Sequence, residues 1–291
     1  MRRLLITGAS GFLGWNICQA AKGEWEVFGT SFFHPVQIEG VTIVKVGLTD
    51  PGELEGVFQT VRPDAVIHTA AKSDPNYCQK HRTESQKVNV DASIHIAGLC
   101  AEYSIPCVFT STDLVFDGLH APYREEDEVC PVSFYGEQKV LAEEGMMRWY
   151  PEVVICRMAL MFGNPGPCAA SFIQPMIRAM KEGRELPLFV DEFRTPLSVK
   201  SAVHGLFLAL GKMRGILHLG GMERISRYDF GKLLLDVFHF QEAKLIPSKQ
   251  KDIMMAAPRP PDVSLDNTKA LLLGFKPFPL LNELKELCSS I

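Results

Sequence analysis

The chain has 291 residues, of which 46% are hydrophobic and 22% charged, a composition typical of a folded globular protein. Its net charge of −4 gives no general attraction to nucleic acid or to anionic membranes, so we expect neither as a partner. The length suits one large α/β domain or two closely joined ones.

The N-terminal segment and the cysteines bear on the compartment. The first apolar run, Leu4–Ile6, is too short for the core of a signal peptide, and no run reaches the length of a membrane span. The eight cysteines are scattered, with no C-x-x-C pair and no cysteine/histidine set at zinc-site spacing. We therefore expect buried free thiols, no bound metal and a cytoplasmic location.

The first half of the chain alternates short apolar strands with helical patterns. Leu4–Thr7 predicts a buried strand because a brief apolar run ends at a glycine turn and a helical pattern follows. Further strands are predicted at Trp25–Gly29, Val41–Val46, Ala65–His68, Cys107–Thr110 and Val153–Arg157, with helices at Glu53–Val61, Glu84–Tyr103 and Gly136–Trp149. This alternation predicts a parallel sheet covered on both faces.

The pattern changes after about residue 163, where Asn164-Pro165-Gly166-Pro167 breaks the chain. Beyond it we predict helices at Ala170–Lys181, Ser201–Leu210, Tyr228–Phe238 and Leu280–Leu287, a strand at Ile216–Leu219, and extended pieces at Leu186–Val190 and Thr195–Ser198. We interpret this part as a smaller lobe that the chain enters more than once.

Three glycines separate the first strand from the first helix. Thr7–Gly14 contains G-x-x-G-x-x-G, and such glycines permit a tight turn, close approach of backbone to a pyrophosphate, and close packing of helix on strand. The helix N-terminus also offers free N–H groups to phosphates. An ordinary strand-to-helix turn is the alternative for this motif alone. Its position favours a dinucleotide site with the contacts Gly8, Ser10, Gly11, Phe12, Leu13 and Gly14.

These features together predict an α/β fold, a Rossmann-type doubly wound parallel sheet with a smaller α+β C-terminal substrate lobe. The NAD(P)-binding domain covers residues 1–163 and also receives roughly 197–220, and the smaller lobe covers 164–196 and 221–291.

The residues after the second strand bear on the choice of cofactor. A carboxylate there would hydrogen-bond a ribose 2′-hydroxyl and repel a 2′-phosphate, but Gly29–His34 contains none. NADP is therefore preferred and NAD is the alternative, with Ser31 as a contact. The segment contains no arginine to bind the phosphate.

Tyr135 and Lys139 lie four residues apart at the start of a predicted helix, so their side chains share a face. A nearby ammonium favours the phenolate, and we expect Lys139 to lower the pKa of Tyr135. Tyr135 would then donate a proton to a carbonyl oxygen as hydride reaches the carbon, and Lys139 would reach the cofactor ribose. A surface tyrosine beside a solvated lysine is the alternative for this pair alone.

Ser111 and Thr112 stand at the C-terminal end of a predicted central strand, where open parallel sheets bind their ligands. We place Thr112 at the substrate oxygen, so the predicted catalytic set is Thr112, Tyr135 and Lys139. The alternative is that the two hydroxyls only cap a turn.

The sequence resembles the extended short-chain dehydrogenase/reductases, and within them the dTDP-4-dehydrorhamnose reductase family, over nearly its whole length. The resemblance rests on Thr7–Gly14, His68-Thr69-Ala70-Ala71, Val88-Asn89, Ser111–Gly118, Pro122–Asp127, Tyr135–Lys139, Arg194-Thr195-Pro196 and Arg259-Pro260.

The resemblance implies hydride transfer from NAD(P)H to the C4 ketone of a nucleotide-linked 4-keto-6-deoxysugar, with Tyr135 supplying the proton and Thr112 polarising the carbonyl. It implies Ala70 and Ala71 as cofactor contacts and places Arg157 near the site. It also implies a nucleotide-sugar as partner, held by Asp113, Arg194 and Arg259, and it is compatible with a homodimer.

Two segments depart from the family pattern. Gly47-Leu48 replaces the acid that many relatives place against the adenine, so adenine recognition must differ or depend on backbone. The segment Lys72–Cys78 also differs from the rhamnose enzymes, and it lies near nicotinamide and substrate in such folds. The sugar is therefore open.

Three other functions are weighed. Nucleotide-sugar dehydratases place an Asp-Glu pair after the catalytic threonine, whereas Leu114 follows Asp113 here. Epimerases keep a tightly held NAD, and the missing acid after the second strand argues against them. The chain also resembles the non-catalytic, NADP-binding regulatory subunit of methionine adenosyltransferase, of the beta type, and a shared fold does not exclude that role.

Overall fold

The computed structural model describes residues 1–240 and 243–289. Its strands, in chain order, are β1 (Arg3–Thr7), β2 (Glu26–Ser31), β3 (Val41–Lys45), β4 (Ala65–His68), β5 (Cys107–Thr112), β6 (Val154–Met158), β7 (Met161–Phe162), β8 (Glu185–Phe189), β9 (Phe193–Arg194), β10 (Leu197–Ser198), β11 (Gly215–Leu219), β12 (Ile225–Ser226) and β13 (Lys244–Ser248). Seven of them form one parallel sheet in the order β11-β6-β5-β4-β1-β2-β3. The predicted parallel sheet is confirmed.

The helices are α1 (Phe12–Ala21), α2 (Pro51–Val61), α3 (Pro75–Lys80), α4 (Arg82–Gln86), α5 (Ala92–Glu102), α6 (Phe134–Trp149), α7 (Ile173–Lys181), α8 (Val199–Lys212), α9 (Arg227–Phe238), α10 (Thr268–Leu272) and α11 (Leu280–Ser289). The predicted helix Glu84–Tyr103 is divided into α4, a π-helical turn over Lys87–Asp91, and α5. Short 3-10 turns cover Asp113–Val115 and Gln250–Asp252.

Alternation along the strands covers both faces of the sheet. Leu4 and Ile6 of β1 pack with α1 and α8 on one face, whereas Leu5 packs with α2, α5 and α6 on the other. All three side chains are fully buried, and burying each contributes about 1.5–3 kcal/mol. Successive side chains of a strand point to opposite faces of the sheet, so the apolar run of β1 is covered by helices on both sides.

A third core lies beyond the sheet. It joins α7, α9 and α11 through buried side chains such as Met176, Phe230 and Leu284. Two short strand pairs border it, the parallel pair β8 and β13 and the antiparallel pair β9 and β12. Between these pieces the chain returns to the main sheet through α8 and β11.

The eight thiols are free, and most are buried as expected. Cys130 and Cys168 are exposed because both lie in irregular segments outside the cores, so the expectation of burial is wrong for these two. Within residues 1–240 and 243–289, no helix is both long and apolar enough to cross a membrane.

Candidate active site

A cavity of about 570 Å³ opens at the carboxyl ends of β1, β2, β4 and β5. Open parallel sheets bind their ligands at this edge because the loops there leave a crevice between them. The lining brings together every residue predicted to contact the cofactor: Gly8, Ser10, Gly11, Phe12, Leu13, Gly14, Ser31, Ala70, Ala71, Tyr135 and Lys139.

The glycine turn leaves the N-terminus of α1 open to this cavity. Gly8 has φ +75°, and a Cβ there would lie 2.9 Å from the Cα of Ala70. A Cβ on Gly14 would lie 2.2 Å from the carbonyl oxygen of Gly8, so both positions require glycine for the fold itself. Gly11 is different, because its Cβ would meet only that same oxygen at 3.2 Å. Gly11 therefore serves close approach to the helix N-terminus rather than packing.

His68 fixes the loop that forms the opposite wall. The Thr7 hydroxyl lies 2.6 Å from His68 Nδ1 and accepts the Thr69 and Ala70 N–H groups, so its own proton points to Nδ1. Ser93 Oγ donates to the Asn89 carbonyl, which leaves it to accept from His68 Nε2 at 2.9 Å. The imidazole is thus a neutral Nε2–H tautomer. Burial, aided by Lys139, lowers the pKa of His68 to about 3.

We expect this histidine to make the fold sensitive to acid. Its folded pKa lies below its ordinary 6.5, so the unfolded chain takes up the proton first and stability falls as pH drops from 6.5 towards 3. Between pH 7 and 5 the loss is about 2 kcal/mol. Urea unfolding at both pH values should give a drop about 2 kcal/mol smaller in His68→Gln. Equal drops would contradict the assignment.

Tyr135 lies in the first turn of α6, where the Ser133 hydroxyl caps the helix by accepting the Gly136 N–H. The phenol is 7% exposed and lines the cavity. Burial raises its pKa above the ordinary 10, Cys78 and Asp113 add to the rise, and a hydrogen bond with Thr112 opposes it. The expectation that Lys139 lowers this pKa is therefore wrong for the protein alone, because burial dominates. A neutral phenol is the form that can donate a proton.

Lys139 follows one turn later and is 2% exposed. Its Nζ donates to the Thr110 carbonyl oxygen at 2.7 Å and lies 4.2 Å above the Phe109 ring, and it is not directed at the phenol. Burial lowers its pKa to about 7, although Glu143 and Cys78 raise it. Lys139 therefore changes charge near neutral pH.

Thr112 ends β5, and its hydroxyl caps the turn that follows, which was the alternative to a catalytic role. It accepts the Leu114 N–H at 3.2 Å, which caps the 3-10 turn, and it donates to Asp113 Oδ1 at 3.2 Å. Thr112 itself does not line the cavity. The preceding hydroxyl of Ser111 does line it and bonds to Glu143.

At the end of the cavity near β2 and β3, neither Gly29–His34 nor Gly47-Leu48 supplies a carboxylate. The Phe32 and Phe33 rings border it at 47% and 71% exposure. The Gly47 N–H donates to Glu53 Oε2 at 2.7 Å, and a Cβ on Gly47 would lie 3.4 Å from both that oxygen and Phe32. A Cβ at Gly47 would therefore be in ordinary van der Waals contact with its neighbours.

A second loop meets this end of the cavity. Lys72 Nζ lies 3.2 Å from Glu84 and 5.3 Å from the Phe33 ring. Of the described residues that line the cavity, Glu84 carries the one carboxylate, and Lys72 and the Tyr77 hydroxyl both contact it.

The residues predicted to hold a substrate lie outside the cofactor cavity. Asp113 is 4% exposed, and burial raises its pKa to about 6 against the opposing effect of Arg194. Arg194 Nε lies 3.8 Å from Asp113, its Nη2 lies 3.5 Å from Glu192, and it donates to two backbone carbonyls. Arg259 is half-buried and donates to the Ala257 carbonyl at 3.3 Å. Arg194 is thus already balanced by carboxylates, whereas Arg259 is more available.

Arg157, expected near the site, does not line the cavity. It forms a buried ion pair with Glu143 at 2.8 Å and stacks on Phe116. Because Glu143 also bonds Ser111, the arginine supports β5 from behind rather than facing a ligand.

Sequence reasoning missed part of the lining. Met158 at the end of β6 and Met161, Cys168 and Ala169 beyond it also line the cavity, but nothing in their spacing signals this. The motif Val88-Asn89 did point to this region of the chain, because Asn89 hydrogen-bonds the backbone of Lys72 through its Oδ1 and its Nδ2.

The chain matches the family model described as the RmlD substrate binding domain over residues 1–290. It is 26% identical over 284 residues to methionine adenosyltransferase 2 subunit beta of Danio rerio, covering 94% of this chain and 85% of that protein. It is 26% identical over 265 residues to the probable low-salt glycan biosynthesis reductase Agl14 of Haloferax volcanii, covering 90% and 88%.

Solved structures share the fold. A dTDP-4-dehydrorhamnose reductase from Clostridium acetobutylicum superposes with a TM-score of 0.86 and 26% identity over 99% of both chains. A dTDP-4-dehydrorhamnose reductase from Bacillus anthracis, in complex with NADP, also superposes with a TM-score of 0.86, at 22% identity over 100% of both chains.

Proposed function

The chain belongs to the family described as the RmlD substrate binding domain, and from that premise we propose that it is an NADP(H)-dependent oxidoreductase. Its proposed reaction is reduction of the C4 ketone of a nucleotide-linked 4-keto-6-deoxysugar. The observation that carries the proposal is that the glycine turn after β1 and the buried Tyr135 and Lys139 of α6 line one cavity. The alternative cofactor is NAD.

The cavity suits a dinucleotide in shape and in charge. The cradle formed by Gly8, Gly11 and Gly14 exposes the N-terminus of α1, where backbone N–H groups favour a pyrophosphate. The segment Gly29–His34, at the end of β2, contains no acid that would repel a 2′-phosphate, which favours NADP. When bound, the cofactor would supply the hydride.

Tyr135 and Thr112 act on the ketone oxygen. The Tyr135 phenol, kept protonated by burial, donates its proton to that oxygen, and the Thr112 hydroxyl turns its one proton from Asp113 Oδ1 to the same oxygen. Lys139 holds its ammonium at the Thr110 carbonyl, at the floor of the same cavity, where it can meet a ribose hydroxyl.

Beyond this wall, Asp113, Arg194 and Arg259 would hold the nucleotide-sugar. Arg259 offers guanidinium donors suited to a diphosphate, and Arg194 keeps Asp113 oriented beside Thr112. The missing second carboxylate at Leu114 argues against dehydration.

A second candidate is a non-catalytic, NADP-binding subunit that assembles with another enzyme. It is favoured by the similarity to methionine adenosyltransferase 2 subunit beta over 94% of this chain. The buried Tyr135 phenol in the cavity lining favours the reductase instead, because a binding role does not need a proton donor there.

The test is to incubate the purified protein with NADPH and a dTDP-4-keto-6-deoxyhexose and to follow the absorbance of the reduced nicotinamide. We expect its loss only when protein, NADPH and ketosugar are all present. No turnover with any ketosugar, together with tight binding to a methionine adenosyltransferase catalytic subunit, would establish the second candidate and reject the first.

A further inference from the structure

The helix that carries Tyr135 and Lys139 also carries a fully buried amide, Gln138. Its Nε2 donates to Ser85 Oγ at 2.8 Å, and its Oε1 accepts from Asn89 Nδ2 at 2.8 Å. An amide buried with both ends paired is costly to disturb, because each lost partner leaves a polar group without water.

Asn89 links Gln138 to the loop that lines the cavity after β4. Its Oδ1 accepts the Lys72 N–H at 2.8 Å, and its Nδ2 donates to the Lys72 carbonyl at 3.1 Å. Asn89 thereby satisfies both backbone groups of Lys72, as a neighbouring strand would. Lys72 directly follows Ala70 and Ala71, which line the cavity.

We infer that Gln138 is a positioning residue that sets the separation between the loop after β4 and the helix of Tyr135 and Lys139. The chain of contacts runs from α6 through Gln138 and Asn89 to the Lys72 backbone, with no other side chain between. Both of the elements it joins line the cavity. Its catalytic consequence rests on the proposed function, whereas its effect on the loop does not.

The same link explains how the segment Lys72–Cys78 is held. Cys78 Sγ donates to the Lys72 carbonyl at 3.1 Å, and Asn89 Nδ2 approaches that sulfur at 3.7 Å. The segment where this chain departs from its relatives is thus anchored on the amide from the catalytic helix.

The test compares Gln138→Met, an unbranched apolar replacement of similar length, with Ser85→Ala. Gln138→Met removes the hydrogen bonds of the amide to both Asn89 and Ser85. Ser85→Ala removes only the hydroxyl that accepts from Gln138 Nε2 and leaves the bond to Asn89. Two readouts are taken: turnover per NADPH-binding site, which is insensitive to misfolded protein, and hydrogen exchange at the Lys72 amide, which needs no activity.

We expect Gln138→Met to lower turnover per site about 10-fold, because small misplacements of reacting groups are costly. Exchange at Lys72 should accelerate about 10-fold as Asn89 loses its anchor. Ser85→Ala should lower the melting temperature while leaving both readouts within about 2-fold. Gln138→Glu keeps an acceptor for Asn89 and should restore slow exchange at Lys72.

Other outcomes overturn the inference. If Gln138→Met loses stability and binding sites but keeps wild-type turnover per site and wild-type exchange, the amide is only structural. If wild-type protein gives no turnover, the proposed function fails, and the exchange comparison alone decides the inference. If Gln138→Met does not fold, Gln138→Asn, shorter by one methylene, must show the same faster exchange or the inference is wrong.

Discussion

Tyr135→Phe is expected to lower kcat for ketosugar reduction by about 10²–10⁴-fold while leaving the affinity for NADPH nearly unchanged. The phenol is the buried proton donor at the cavity wall. Without it, Thr112 can still polarise the ketone oxygen, but the proton donor is missing. The phenylalanine ring still fills the same buried space, and the bond from Lys139 to Thr110 does not involve the phenol. Steady-state kinetics and fluorescence titration of NADPH measure the two effects separately.

The matched control is Tyr150→Phe, at the far end of the same helix. Tyr150 is the C-cap residue of α6 and lies outside the cavity, so its variant should retain wild-type kcat. A wild-type rate in Tyr135→Phe would show that another group delivers the proton.

Gly11→Val should abolish useful cofactor binding while the protein still folds. Its Cβ would meet only the Gly8 carbonyl oxygen at 3.2 Å, which the turn can absorb by a small shift. The branched side chain, however, would stand before the N-terminus of α1 and keep the pyrophosphate from the N–H groups. Loss of one or two charge-assisted hydrogen bonds costs about 2–4 kcal/mol, or roughly a 30- to 1000-fold rise in Kd for NADPH. Titration of NADPH measures the change.

Two glycine controls separate binding from folding. Gly14→Ala places a Cβ 2.2 Å from the Gly8 carbonyl oxygen and should lower the melting temperature, because backbone cannot move that far. Gly56→Val, on α2, has nothing within 4 Å of its Cβ and should leave cofactor affinity at the wild-type value. An unchanged affinity of Gly11→Val for NADPH would show that the glycine turn is not part of the cofactor site.

The parallel sheet and the cofactor end of the site were predictable from the sequence because both depend on local patterns. The short apolar run of β1 and the glycine turn after it are read directly from the sequence, and the predicted contacts do line one cavity. The predicted strands of the sheet also end within about two residues of the observed ones.

What the sequence could not reveal depends on burial and on side-chain direction. Spacing places Lys139 beside Tyr135, but only the fold turns its ammonium towards Thr110 and buries the phenol deeply enough to raise its pKa. The short helix α3 escaped prediction because Pro75 follows a loop of polar residues, and its start depends on the cap at Asp74. Arg157 looked like a site residue because it lies at the end of a sheet strand, but its buried ion pair with Glu143 directs the guanidinium away from the cavity.

The most direct test of the proposed reduction is to follow the hydrogen itself. The protein is incubated with a dTDP-4-keto-6-deoxyhexose and NADPH deuterated at the transferred C4 position, and the sugar product is examined by mass spectrometry and NMR. We predict deuterium at C4 of the product with wild-type protein and at most about 1% as much with Tyr135→Phe over the same time. A protein that binds NADPH and the nucleotide-sugar yet returns the ketone without deuterium would contradict the account.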